Sequence, residues 1–234
     1  MADDWKKKVF EDSGLWVIYW KSVGSMPRSA FNRGVYWFSF ILIALLTGFA
    51  VVSPSDLYGL AQSAAFVHQI ADAGLVISLG ILGFLIAGFS IFASVTKPEL
   101  FIVLAKIPYK RDGETVGISR LQFLFFNFLN VFSVYLLLFS ISLFISIGFA
   151  ESSPLRILSQ AAMFDHPMVM HAGNCLSMAA LLLWFVESVL RLKSFVWNLY
   201  QAVLISIATE SELRDRERQA AVPGVRDRED QYGE

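Results

Sequence analysis

The chain predicts an all-α, multi-pass membrane protein: a bundle of four transmembrane helices whose last helix continues into the cytoplasm. Three observations carry that prediction. Charge-free stretches lie between Arg33 and Asp56, between Asp72 and Lys97, between Arg120 and Glu151, and from Ala172 to Glu187. A helix rises about 1.5 Å per residue, so roughly 20 apolar residues cross a hydrocarbon core. Hydrophobic residues make up 56% of the 234 positions and mean hydropathy is +0.56, above the roughly 45–50% apolar content of soluble domains. Basic residues fall in alternate gaps. Lys6, Lys7, Lys8, Lys21, Arg28 and Arg33 precede the first run, and none separates Asp56 from Asp72. Lys97, Lys106, Lys110, Arg111 and Arg120 follow the second run, Arg156 stands alone after the third, and Arg191, Lys193 and five further arginines follow the fourth. By the positive-inside rule this pattern predicts cytoplasmic N- and C-termini in the cell inner membrane. Trp5, Trp16, Trp20, Trp37, Trp184 and Trp197 would then gather at that same side, where indole favours the headgroup layer.

Residues 1–31 read as a cytoplasmic interfacial segment, because Trp5, Phe10, Trp16 and Trp20 are interspersed with lysines and acids. The first span is expected over 32–53, stopped by Ser53-Pro54. The second, 73–95, is rich in small residues. Gly83 with Ala87 and Ser90 with Ser94 are each four apart, so each pair shares a helix face on which another backbone could approach closely. The cytoplasmic loop 96–120 opens with Thr96-Lys97-Pro98-Glu99, a helix-start pattern predicting a short helix over 98–107, followed by a polar turn over 108–117. The third span, 121–150, exceeds the required length and should tilt. Asn127, Asn130, Ser133 and Ser140 share one broad face of it. They predict interhelical hydrogen bonds, with a polar pore lining as the rival reading.

The fourth span is expected over 172–192, with a helical extension over 193–209 and a polar cytoplasmic tail over 210–234. No proline or glycine interrupts Asn174 to Val222, so one helix should run much further than a bilayer requires. Asn174, Ser177, Trp184, Ser188, Arg191 and Asn198 share a stripe. Glu187 precedes Arg191 by one turn, the favourable order for an ion pair, expected near the inner boundary. Arg191 and Lys193 would snorkel there. Apolar Phe195, Leu199 and Val203 must find cover, and with Glu187, Arg191 and Lys193 they form the candidate partner or gate surface.

Catalytic signatures are missing: there is no phosphate-binding loop, GxGxxG, HExxH, CxxC or GxSxG pattern. The expectation is a protein that is not an enzyme and needs no cofactor. Asp165, His166, His171 and His68 do not have metal-ligand spacing, so no metal is expected. The single Cys175 sits in an apolar run and reads as a packing residue. A net charge of −1 gives no reason to expect direct nucleic-acid binding. The leading functional expectation is a homo-oligomeric inner-membrane scaffold or sensor that holds a soluble cytoplasmic partner at the bilayer. Small membrane components of bacterial antiviral defence and stress systems share that architecture by analogy only. The alternative is an ion-conducting or permeabilising oligomer, and the third reading an intramembrane enzyme using Glu187, Asn127 and Asn130.

Overall fold

The computed structural model describes residues 29–53, 58–95, 98–111, 114–150, 153–162 and 167–220. Four long helices dominate: α1 (Ala30–Val52), α2 (Leu60–Val95), α4 (Arg120–Gly148) and α6 (Pro167–Ala220), all long and apolar enough to cross a membrane. Two short helices, α3 (Pro98–Lys106) and α5 (Pro154–Ala162), join them. The expected interfacial segment over 1–31 lies outside the described residues except for its last three, and so does the end of the polar tail, 221–234.

Local sequence explains the helix ends. Ser29 caps α1 by accepting from the Asn32 backbone N–H at 3.1 Å. Ser119 caps α4 in a reciprocal box: its Oγ accepts from the Gln122 N–H at 3.1 Å, and Gln122 Oε1 accepts from the Ser119 N–H at 2.9 Å. Helix α3 has Pro98 at its start, Glu99 in its first turn and Lys106 in its last, matching the macrodipole.

The expected polar turn over 108–117 is corrected. Pro108–Arg111 (β1) pairs antiparallel with Glu114–Ser119 (β2), with Arg111 opposite Glu114. The residues between them, Asp112-Gly113, are a two-residue hairpin signal, and Thr115, Val116 and Ile118 favour an extended backbone. Tyr109 stacks on Phe123 at 4.0 Å between ring centroids, tying the hairpin to α4.

Helix α2 packs along α4 and α6, and α1 rests on α6. Leu82 and Leu85 of α2, Val131, Tyr135 and Leu138 of α4, and Phe195 of α6 form the main core. Val67, Ile70, Met178 and Leu181 form a second cluster towards the end where α2 and α6 begin. Outward-facing positions are apolar: Phe38, Leu45 and Phe49 of α1, Val76 and Phe84 of α2, and Phe144 and Ile147 of α4 are exposed. A contiguous apolar belt of this kind belongs in hydrocarbon rather than water.

Among the described residues of the chain, no other helix approaches the small-residue pairs on α2 closely. A Cβ added at Gly83 would meet nothing within 4 Å, and Ala87, Ser90 and Ser94 are exposed. Ser90 and Ser94 donate to their own helix, at Ile86 O and Ile91 O. The tight crossing is nine residues earlier, about two and a half turns and so on the opposite face. A Cβ at Gly74 would overlap Ser142 Oγ and stand 3.3 Å from Phe185 Cζ.

The bundle is stepped at the end where α1 begins, here called basal. Asn32 Nδ2 donates to Ser194 Oγ at 2.8 Å and Lys193 Nζ to Asn32 Oδ1 at 3.2 Å, fixing the first turn of α1 at this level of α6. Leu85 shares the core with Phe195 at the same level, yet α2 continues to Val95, about 15 Å further. Phe128 lies 6.0 Å from Phe195 between centroids, and α4 reaches back to Arg120, about 12 Å further. Helix α6 then runs on to Ala220 without a break, a single helix of 54 residues.

Candidate functional site: a charged node beside an intrabundle groove

The polar residues of α4 divide by face. Val131, Tyr135, Leu138 and Ser142 form the stripe packed towards α2 and α6, and Asn127 lies one turn before Val131 on that stripe. Asn130 is fully buried and turned towards α6. Ser133 and Ser140 line a groove, and Ser140 satisfies its hydroxyl on Leu136 O at 2.8 Å.

Arg191 forms the node. Its Nε donates to Glu187 Oε1 at 2.8 Å, its Nη2 lies 2.8 Å from the same oxygen, and its Nη1 donates to Asn130 Oδ1 at 2.6 Å. The predicted ion pair on one helix face is present, and α4 supplies the third member. Its depth differs with the helix used as the ruler. Along α4 it lies about 15 Å from Arg120, within the charge-free stretch, whereas along α1 it stands near the first turn. Ionisable groups among apolar helices are costly and persist where they are paired and useful.

Beside the node, α1 and α4 stand apart on α6 and leave a groove of about 760 Å³. Tyr36 of α1, Leu129, Ser133 and Leu136 of α4, and Leu183 and Trp184 of α6 contribute its walls, with Glu187 and Arg191 at one end. The volume falls in the range of small-molecule sites, about 300–1,000 Å³.

The remaining candidates are placed as follows. Lys193 is exposed, 4.0 Å above the Phe31 ring as well as bonded to Asn32. Phe195 is 6% exposed and Leu199 packs on the same core, so these two are packing residues of the bundle; α2 and α4 accompany α6 far enough to cover them. Val203 is exposed, with Val196, Trp197, Tyr200, Leu204 and Ile207. Asn174 Nδ2 donates to Ser63 Oγ at 3.3 Å, and Ser177 is exposed.

Two features escaped the sequence reading. At the end opposite the step, His171 ties three helices: Nε2–H donates to the Ala50 carbonyl of α1 at 3.1 Å, and Nδ1 lies 3.1 Å from Ser63 Oγ of α2. Tyr58, in the connection after α1, donates its hydroxyl to Met178 Sδ at 3.8 Å; burial, then the nearby Cys175 thiol, pushes its pKa up, keeping the donor protonated. Asp165 and His166 lie outside the described residues, and among the described residues no three His, Cys, Asp or Glu side chains come together. The second feature is a set of buried polar atoms without hydrogen-bond partners: Ser78 Oγ, both amide atoms of Asn127, the Tyr135 hydroxyl and Ser142 Oγ. Asn127 was singled out in the sequence as a polar residue in an apolar run and Ser142 was not, and nothing in the sequence showed that either would lack partners.

Fold and site together define a multi-pass membrane bundle with an internal ion-pair node. Comparison with protein-family models, with curated proteins and with solved structures finds no match to this chain.

Proposed function

We propose that this chain is a homo-oligomeric scaffold or sensor of the cell inner membrane, with both termini cytoplasmic, whose last helix binds and holds a soluble protein at the bilayer. The observation that carries this reading is the continuity of α6. Its 54 residues join the Glu187–Arg191 node to a charged stretch, Glu210–Arg218, that extends past the ends of α2 and α4. A packed helix moves as a rigid element, so a change at the node is carried to that stretch. Between the two, Val196, Trp197, Tyr200, Val203 and Leu204 leave one side of α6 open, and a second copy is the occupant that makes the protein oligomeric. The alternation of Lys and Arg supports the cytoplasmic placement of the basal end.

The test is extraction into native nanodiscs followed by mass measurement of the intact particle. The reading expects more than one copy of the chain, plus a soluble protein in fixed ratio that is lost when residues 206–234 are removed. Recovery of a lone monomer would remove its basis. A reporter fused after Glu234 should be active only inside the cell.

One observation favours a second reading, an ion-conducting oligomer. Ser78, Asn127, Tyr135 and Ser142 present unpartnered polar atoms in the apolar core, where each such atom costs free energy unless water or another group reaches it. Leu82, Leu85, Val131, Leu138 and Phe195 close the centre of one chain, so conduction would need assembly of several. Purified protein giving current in planar bilayers would favour that reading over the scaffold.

A further inference from the structure

The α1–α4 groove has a length, an orientation and a charge distribution that together identify an occupant. On α6 it runs from Ala180 to Arg191, about 16 Å of helix, roughly half of a hydrocarbon core near 30 Å thick. Its depth therefore corresponds to one leaflet. Its walls are mostly apolar side chains, with Tyr36 and Ser133 among them, and the Ser140 hydroxyl is already turned to its own helix.

Charge is confined to the basal end. Arg191 and Glu187 stand there, and Arg33 lies one turn before Tyr36 on the same face of α1; Lys193, two residues from Arg191, projects to the other side of α6 and reaches Asn32 and Phe31 away from the groove. Glu187 is the sole acid in the sequence between Pro167 and Ala208, and neither α1 nor α4 contains one. Among the described residues, two cations on the groove side, Arg191 and Arg33, against one carboxylate leave the mouth with a net charge of about one positive unit, next to the positive end of the α1 dipole.

We propose that this groove holds one acyl chain of an anionic phospholipid drawn from the leaflet at the basal end, with its phosphate at Arg33 beside the Arg191 end of the groove. The inference is independent of the scaffold reading. The groove can hold a lipid whether or not α6 recruits a partner.

The test uses Trp184, which lines the groove. In a chain with Trp5, Trp16, Trp20, Trp37 and Trp197 replaced by Phe, its fluorescence is quenched by bromine on a neighbouring acyl chain. Nanodiscs of phosphatidylcholine carry an equal minor fraction of acyl-brominated phosphatidylglycerol or of acyl-brominated phosphatidylcholine. The anionic lipid should quench at a lower mole fraction, by about fivefold for each basic side chain that engages it. Arg33→Gln should bring the two lipids together, whereas Lys193→Gln, away from the groove, should leave the preference in place. Ala180→Phe, which narrows the apolar end, should reduce quenching by both. Should the multiple-Trp chain fail to fold, native mass spectrometry of the unaltered protein gives the same comparison, with one retained phosphatidylglycerol per chain expected. Equal quenching by the two lipids, or a preference that survives Arg33→Gln, would show annular lipid only and overturn the proposal, and so would absence of quenching.

Discussion

Substituting Gly74 by Ala tests the packing of the bundle where it is tightest. The added Cβ would overlap Ser142 Oγ and press on Ser142 Cβ at 3.2 Å and Phe185 Cζ at 3.3 Å, so α2 must move away from α4 or Ser142 must leave its rotamer. Overpacking of this kind costs about 1–3 kcal/mol. The same substitution at Gly83, where a Cβ meets nothing within 4 Å, carries only the gain in helix propensity, up to about 1 kcal/mol. Gly74→Ala makes the same propensity gain, so the pair differs by the overpacking alone, about 1–3 kcal/mol in favour of Gly83→Ala. Reversible unfolding in mixed micelles with increasing SDS reads the difference. A cycle adds the cause: Ser142→Ala removes the overlapping oxygen, so Gly74→Ala combined with Ser142→Ala should recover about 1–2 kcal/mol relative to additivity. If Gly74→Ala is as mild as Gly83→Ala, or the cycle shows no coupling, the α2–α4 crossing described here is wrong.

Three further outcomes follow from particular contacts. Phe195→Ala should destabilise by about 3 kcal/mol in the same unfolding assay, whereas Val76→Ala, on the outward side of α2, should fall within about 0.5 kcal/mol of the unaltered chain. Glu187→Leu leaves Arg191 uncompensated and should cost about 3 kcal/mol, while Glu187→Leu with Arg191→Leu should be milder than either single change. Ser119→Ala removes the cap of α4 and should cost about 1 kcal/mol, visible as faster hydrogen exchange in the first turn of α4 and in the adjoining hairpin.

Element type was legible because lipid as solvent imposes a simple pattern. Four charge-free runs became four long helices, the cap signals at Pro98 and Glu99 opened α3, and the unbroken stretch after Asn174 proved to be one helix. Glu187 and Arg191 were legible as a pair because spacing on a single helix is a local property. What failed was pairing between helices. Gly83 and Ala87 carry the same small-residue pattern as Gly74 and Ser78, and composition cannot say which face of α2 meets α4. Likewise Phe195 looked uncovered because span length was counted from His171 on α6 alone. Its cover comes from the reach of α2 and α4, which is a property of their stagger. The Asp112-Gly113 hairpin signal was present and was read too loosely, as a turn without strands.

The same stagger sets where the bilayer must lie, and a last prediction turns on it. Measured from α1, the hydrocarbon would end near Asn32 and Ser194; measured from α2 and α4, it would end about 12–15 Å further, near Val95 and Arg120. The side chains decide between these. Ile91 on α2, with Trp197, Tyr200 and Leu204 on α6, are exposed apolar groups beyond the start of α1, and water at that level would leave a large apolar patch unsolvated by lipid. The hydrocarbon therefore follows α2 and α4, and the short α1 forces headgroups to dip into the step, where Arg33 and Lys193 meet them by snorkelling. In a Cys175→Ser background, single cysteines at Trp197 and Leu204 should react slowly with a membrane-impermeant maleimide in nanodiscs, and cysteines at Ser211 and Arg214 quickly. Equal rates at Leu204 and Ser211 would put the open side of α6 in water, refute the dipped bilayer, and make that side a docking surface for a soluble protein in place of a second copy.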